Sequence, residues 1–199
     1  CLKLQSGTTT LITDPYEHMP GLVLSPQKVD VTTISHEHPS HSYIKNIETT
    51  QSILTGPGEY QISDFYIRGI GTNRASDQLV DQINTIYVIQ AEDLILCHLG
   101  DLNERMSPTQ LQELKGTDVL FVPVGSVCTL PVAQAAEIVN RISPRIVVPI
   151  HYRLAETNSP LEYVDTFLSE LGVSEVSIDS KLDVTSVSLP KDMQVRVLS

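Results

Sequence analysis

Three histidines fall within six residues, in Ser35-His36-Glu37-His38-Pro39-Ser40-His41, directly after a β-branched, apolar run at residues 29–35. On extended chain, residues i and i+2 point the same way and lie roughly 6.5–7 Å apart. His36 and His38 can therefore converge on one metal ion. Pro39 then turns the chain, and His41 can swing toward a neighbouring ion. Two more apolar runs deliver ionisable residues at their carboxyl ends. Residues 94–99 lead into Gly100-Asp101, and residues 145–150 lead into His151-Tyr152. An Asp can bridge two cations through its two oxygens. Taken singly, a strand-end Asp reads as a cap and a strand-end His as a satisfied surface residue. Taken together, three strand ends that each offer a ligand type favour a metal site, because sites on α/β folds collect at such ends.

The elements that must position these residues follow from periodicity. The first third is strand-rich: residues 1–5 and 8–13 flank Ser6-Gly7 as a hairpin, and residues 29–35, 52–55, 65–70, 85–90 and 94–99 read as further strands. Gly56-Pro57-Gly58-Glu59 reads as a turn. The second half alternates. Ser107-Pro108-Thr109-Gln110 is a capping-box start with Pro at the first helical position. Residues 118–123 and 145–150 read as buried strands. Between them Pro131 opens a helix with Val132, Ala135, Ala136 and Val139 on one apolar stripe. Ser159-Pro160-Leu161-Glu162 is a second capping box, and its helix ends at Gly172. Residues 175–178, 182–188 and 194–198 are expected as closing strands. Early strands followed by β/α alternation imply two sheets with helices outside, and a four-layer α/β/β/α sandwich fits that order.

Composition narrows the function. The chain has 199 residues, 13 Lys+Arg against 24 Asp+Glu, and a net charge of −11. Phosphate contacts need a basic face, so nucleic acid and an acidic membrane surface are both disfavoured as partners, and a small-molecule substrate or ligand is the expected one. No apolar stretch reaches the roughly 18 residues that a spanning helix needs. Cys1, Cys97 and Cys128 form no C-x-x-C pair, and reduced thiols in a cytoplasmic protein are the simplest reading. Cys97 and Cys128 lie among apolar neighbours and read as inert core residues. His18, in a Pro/Gly-rich loop, reads as exposed, and Glu37 alternates away from His36 and His38.

The His-x-His-x-x-His loop, Gly100-Asp101 and His151, each after a strand, resemble the metallo-β-lactamase superfamily. Thr9-Thr10-Leu11-Ile12-Thr13-Asp14-Pro15, Gly56-Pro57-Gly58-Glu59-Tyr60, Cys97-His98-Leu99-Gly100-Asp101 and Pro149-Ile150-His151-Tyr152 look, in order, like its branch of small hydrolases similar to the L-ascorbate 6-phosphate lactonases. The resemblance implies one metallo-β-lactamase-like domain over residues 1–199. In such proteins a Gly-His-Ser segment precedes the first strand and would lie just before Cys1, so the N-terminus is expected to be truncated.

It further implies that His36 and His38 bind a first metal, that His41 and His151 bind a second, and that Asp101 bridges them as the catalytic residue. A hydroxide between the ions would be the nucleophile. Zinc, as one or two ions, is the expected cofactor, with manganese or iron open. Two positions depart from the family pattern. Ser40 stands where an Asp is usual, and Asn73 or Arg74 stands where the first metal's third histidine is usual. An Arg keeps its charge and cannot ligate. His98 could substitute as a ligand, although strand alternation turns it away from Asp101 and favours a buried, hydrogen-bonded role. The expected activity is hydrolysis of a small ester, lactone or phosphoester. The alternative is a degenerate, non-catalytic relative that binds a small anionic ligand or a single metal.

Overall fold

The structure, a computed structural model, describes residues 1–17, 22–73, 83–155 and 157–198. The amino-terminal strands β1 (Leu2–Ser6), β2 (Thr9–Thr13), β3 (Gln27–Thr33) and β4 (Ile47–Leu54) form a four-stranded sheet in chain order. The β1–β2 hairpin is antiparallel, whereas β2–β3 and β3–β4 are parallel. The second sheet has eight strands. It comprises β5 (Gly58–Ile62), β6 (Phe65–Asn73), β7 (Ile83–Ala91), β8 (Leu94–His98), β9 (Val119–Pro123), β10 (Ile146–Ile150), β11 (Ser177–Asp179) and β12 (Gln194–Leu198). Their order is β11-β12-β10-β9-β8-β7-β6-β5, antiparallel from β5 to β8 and parallel from β8 onward.

Strand alternation divides the core in two. Phe65, Ile67, Tyr87, Ile89, Leu96, Phe121 and Val148 face Leu11, Val31 and Leu54 of the smaller sheet. Their neighbours Ile86, Cys97, Leu120, Val122 and Val147 face the opposite way, onto the helices. The central parallel strands are buried on both faces, which is why they read as unbroken apolar runs rather than as alternating ones. Helices α1 (Pro108–Glu113), α2 (Val132–Ile142) and α3 (Val164–Glu170) cover this sheet. The inner stripe of α2 is Val132, Ala135, Ala136, Ile138, Val139 and Ile142. This is the metallo-β-lactamase-like α/β architecture that the sequence suggests, with two mixed sheets. Among the described residues the helices all lie on the larger sheet. No described helix is long and apolar enough to cross a membrane.

Local expectations hold where a cap is made and fail where tertiary bonds compete. Ser107 and Gln110 form the expected reciprocal capping box. The second box does not form. Ser159 Oγ accepts from Leu161 N–H, Glu162 N–H donates to Gly125 O at 3.0 Å, and α3 starts only at Val164. The backbone of Glu162 is spent on holding the loops after β9 and β10, its N–H on Gly125 O and its O on Arg153 N–H. Residues 182–188 form no strand, because Thr185 and Ser188 close a side-chain-bonded turn. Gly58 and Glu59, read as turn, begin β5 and pair with Gly69 and Arg68. His18 and Arg74 lie outside the described residues, and only the backbone of Asn73 is described.

Candidate metal centre

Five strands end at one place. Beyond the carboxyl ends of β2, β3, β8, β9 and β10 come Asp14, Ser35-His36, Asp101, Cys128 and His151. The larger sheet holds the histidine loop in position from below. Thr85 N–H donates to Ser35 O at 2.8 Å, and the single proton of Tyr87 Oη is shared between Ile34 O and Leu54 O, each at 3.0 Å. Buried Asn84 fixes the turn before Asp101: its Oδ1 accepts from Asp101 N–H at 2.9 Å, and its Nδ2 donates to Leu99 O and Thr72 Oγ1. Gly100 passes so close, at φ +60°, that a Cβ there would lie 2.3 Å from Asn84 Oδ1. Asp14 and His151 also adopt positive φ, 44° and 52°. Such strained backbone persists where the surroundings over-determine it, often at functional sites.

Asp101 is the centre. Its Oδ2 lies 3.7 Å from His36 Nε2 and 3.3 Å from His41 Nε2, and its Oδ1 lies 3.8 Å from His151 Nε2. His36, His41 and Asp101 are buried, and their donor atoms lie within 4.8 Å of one another. A tetrahedral zinc with nitrogen and oxygen ligands at about 2.0–2.2 Å has ligand–ligand edges of about 3.3–3.6 Å. The residues present therefore fit a metal ion with little adjustment. A second group of donors within the same limit is Asp101, His151 and Cys128, with Cys128 Sγ 4.0 Å from His151 Nε2.

Outer contacts set the histidine orientations. Asp14 Oδ2 lies 3.1 Å from His41 Nδ1 and accepts from Ser35 Oγ at 2.7 Å, while Asp14 Oδ1 accepts from Ser35 N–H at 2.7 Å. Ser35 Oγ also lies 3.0 Å from His36 Nδ1. Both rings are thus held at Nδ1, which directs Nε2 toward Asp101. Burial alone would lower the pKa of His41, but the hydrogen bonds and charges of Asp101 and Asp14 outweigh it and hold the ring at about 9. Burial likewise opposes ionisation of Asp101, yet His41 and the neighbouring rings bring its carboxyl down to about 2. Asp14 lies well below the usual carboxylate range: burial opposes this, and the hydrogen bond to His41 prevails.

Of the residues singled out in the sequence, His36, His41, Asp101 and His151 come together. Exposed His38 stands at the rim, its ring centroid 6.0 Å from that of His36 and 6.2 Å from that of His41, and its Nδ1 lies 2.6 Å from Ser40 Oγ. His98 is buried, accepts from Gly100 N–H at 3.2 Å through Nδ1, and belongs to neither group of donors. Glu37 is exposed and accepts from Ser42 Oγ. Cys97 is buried as expected, and burial pushes its thiol far up. Cys128 is not a core residue. It is exposed and stands beside His151, because the chain reverses at Ser126, φ +66°, and carries it out of the apolar layer. Asp14 carried no sequence signal beyond a strand-end Asp-Pro, and Asn84 lay just outside the strand expected at residues 85–90.

Two mixed sheets with a His/Asp cluster at the carboxyl ends of their strands define a metallo-β-lactamase-type fold with a candidate metal centre. Residues 1–151 match the model of the Beta-lactamase superfamily domain, and the chain belongs to that family. It is 29% identical over 188 residues to a UPF0173 protein of Pyrococcus furiosus, covering 82% of this chain and 84% of the relative. It is 25% identical over 179 residues to a UPF0173 metal-dependent hydrolase of Staphylothermus marinus, covering 75% and 76%. A crystal structure from Thermotoga maritima, assigned as a Zn-dependent hydrolase of the metallo-β-lactamase superfamily, superposes with a TM-score of 0.80. It is 27% identical and covers 98% of this chain and 92% of that one.

Proposed function

We propose that this protein is a zinc-type, metal-dependent hydrolase of a small ester, lactone or phosphoester, a reading in line with the lactonase-like resemblance of its motifs. One observation carries it: Asp101 offers Oδ2 to His36 and His41 and Oδ1 to His151, all at 3.3–3.8 Å. When bound, zinc supplies Lewis acidity toward the scissile oxygen and lowers the pKa of its water toward neutrality.

The protein's own groups do the rest. Asp101 stays ionised and buried, so its charge is undiluted by water. Asp14 holds His41 at Nδ1, and Ser35 holds His36 at Nδ1, so neither ring needs to reorient when substrate arrives. His151 is partly open and His38 exposed, which makes this rim the way in for substrate. The competing reading, a ligand-binding relative without turnover, is favoured by Ser40. Its hydroxyl is engaged by His38 Nδ1 where a carboxylate would be expected to serve a metal.

The test is a panel of aryl esters, lactones and phosphodiesters assayed with zinc, manganese or chelator, on wild type and Asp101→Asn. Turnover that needs metal and falls by a hundred-fold or more in the variant, in the range that removal of one charge-stabilising group costs, is the expected result. Stoichiometric metal with no turnover of any class would favour the competing reading.

A further inference from the structure

The family pattern leaves a second ion short of a ligand, because Ser40 stands where a carboxylate is usual. Another element offers a replacement. After β9 the chain turns at Ser126, with Val127 N–H donating to Gly125 O at 2.8 Å. Leu130 N–H then donates to Leu102 O at 2.9 Å, which docks this segment beside Asp101. Cys128 is thereby brought to His151.

We infer that Cys128 is a thiolate ligand of a second metal ion, in one set with Asp101 Oδ1 and His151 Nε2. The inference rests on the metal-centre reading above and deepens it. Geometry selects a ligand over a nucleophile–base pair. Asp101 Oδ1 and Cys128 Sγ approach the same ring nitrogen, His151 Nε2, at 3.8 and 4.0 Å. In a catalytic relay the nucleophile and the carboxylate occupy opposite nitrogens of the imidazole. Three donors facing one point are instead a coordination shell. With Zn–S of about 2.3 Å and Zn–N of about 2.0–2.1 Å, a tetrahedral S···N edge is about 3.6 Å, so the Cys128–His151 edge closes with a shift of a few tenths of an ångström, and all three donor atoms already lie within 4.8 Å of one another. The cysteine is exposed and can make that shift.

Asp101 serves both sets without conflict, giving Oδ2 to the His36–His41 side and Oδ1 to the Cys128–His151 side. Binding forms one sulfur–metal bond, and the thiol proton passes to solvent; nothing is oxidised or reduced. A thiolate also decides among metals, since soft sulfur favours zinc and cobalt over manganese.

Cobalt titration tests this on wild type, Cys128→Ser, Cys128→Ala and Cys1→Ser. The expected result is thiolate-to-cobalt charge-transfer absorption in the near ultraviolet for wild type and Cys1→Ser. Both Cys128 variants lose it, and their affinity for the second zinc equivalent falls about ten-fold or more, as loss of a metal-supporting group does. Visible cobalt bands without any charge-transfer absorption in wild type, or the same absorption in Cys128→Ser, would overturn the assignment and leave the metal centre standing. Failure of wild type to retain cobalt or zinc at all would overturn both.

Discussion

Asp14 Oδ2 lies 3.1 Å from His41 Nδ1, a contact that joins the end of β2 to the histidine loop 27 residues on. Both groups are buried. The same carboxylate also takes two hydrogen bonds from Ser35, the residue before His36. One acidic side chain thus sets the backbone of the histidine loop and the tautomer of one of its rings.

Asp14→Asn keeps the shape and removes the charge. His41 loses one of the two carboxylates that raise its basicity, and the one that holds its Nδ1, so metal affinity should fall about 10- to 100-fold. Zinc titration against a chelating competitor measures it. Affinity equal to wild type would show that His41 is held by other contacts.

Gly100→Ala should cost about 2–4 kcal/mol, combining a left-handed backbone that L-residues resist with overpacking. The added Cβ would meet Asn84 Oδ1 at 2.3 Å and Ser35 Cβ at 2.6 Å, and both neighbours are buried. Because Asn84 holds Asp101 N–H, the loss of stability should come with weaker metal binding. Urea unfolding and zinc titration of the same variant test the two together.

Much of this centre was legible in the sequence, because its ligands sit where unbroken apolar runs stop. His36, Asp101 and His151 each follow a strand whose residues announce burial. What stayed hidden depends on pairings distant along the chain. Asp14 reads as a strand-end cap until the fold brings His41 to it. Asn84 falls just before the expected strand at residues 85–90 and draws no notice until the fold sets its side chain against Gly100. Cys128 was masked by apolar neighbours, Val127 and Leu130, since no periodicity reports the reversal at Ser126. The Ser159 box failed for a related reason: Glu162 N–H has a better-placed acceptor in Gly125 O than an extra helical turn would supply. Arg74, one of the two departures from the family pattern, lies outside the described residues, whereas Ser40 is seen bonded to His38.

Tyr87 ties the sheets together just beneath the histidines. Its side chain is fully buried, and its hydroxyl reaches Ile34 O and Leu54 O, both at 3.0 Å. Tyr87→Phe should cost about 1–3 kcal/mol, because Ile34 O loses this donor, whereas Leu54 O still accepts from Ile34 N–H at 2.8 Å. Hydrogen exchange should quicken in residues 34–36 more than in β9 or β10. Uniform exchange across the chain would mean that the hydroxyl contributes to global stability alone.

His98 gives the pH dependence of folding. Burial lowers its pKa to about 4 from an ordinary value near 6.5. The folded chain therefore keeps the ring neutral in a range where the unfolded chain protonates it. Between about pH 6.5 and 4 the unfolded state binds more protons, so stability falls as pH drops through this window. The full loss is about 3 kcal/mol. Neighbouring groups do not obscure it. His41, raised to about 9, contributes stability that is complete below about pH 6.5 and is lost only toward pH 9. Asp14 and Asp101, both depressed, lose theirs only as pH falls below the ordinary carboxylate range. His98→Gln keeps an acceptor for Gly100 N–H and removes the titration. Urea unfolding in chelator at pH 7, 5.5 and 4.5 should show wild type losing stability relative to the variant across the window. Parallel pH profiles for the two proteins would mean that the ring is protonated in the folded state and that a polar partner faces its Nε2.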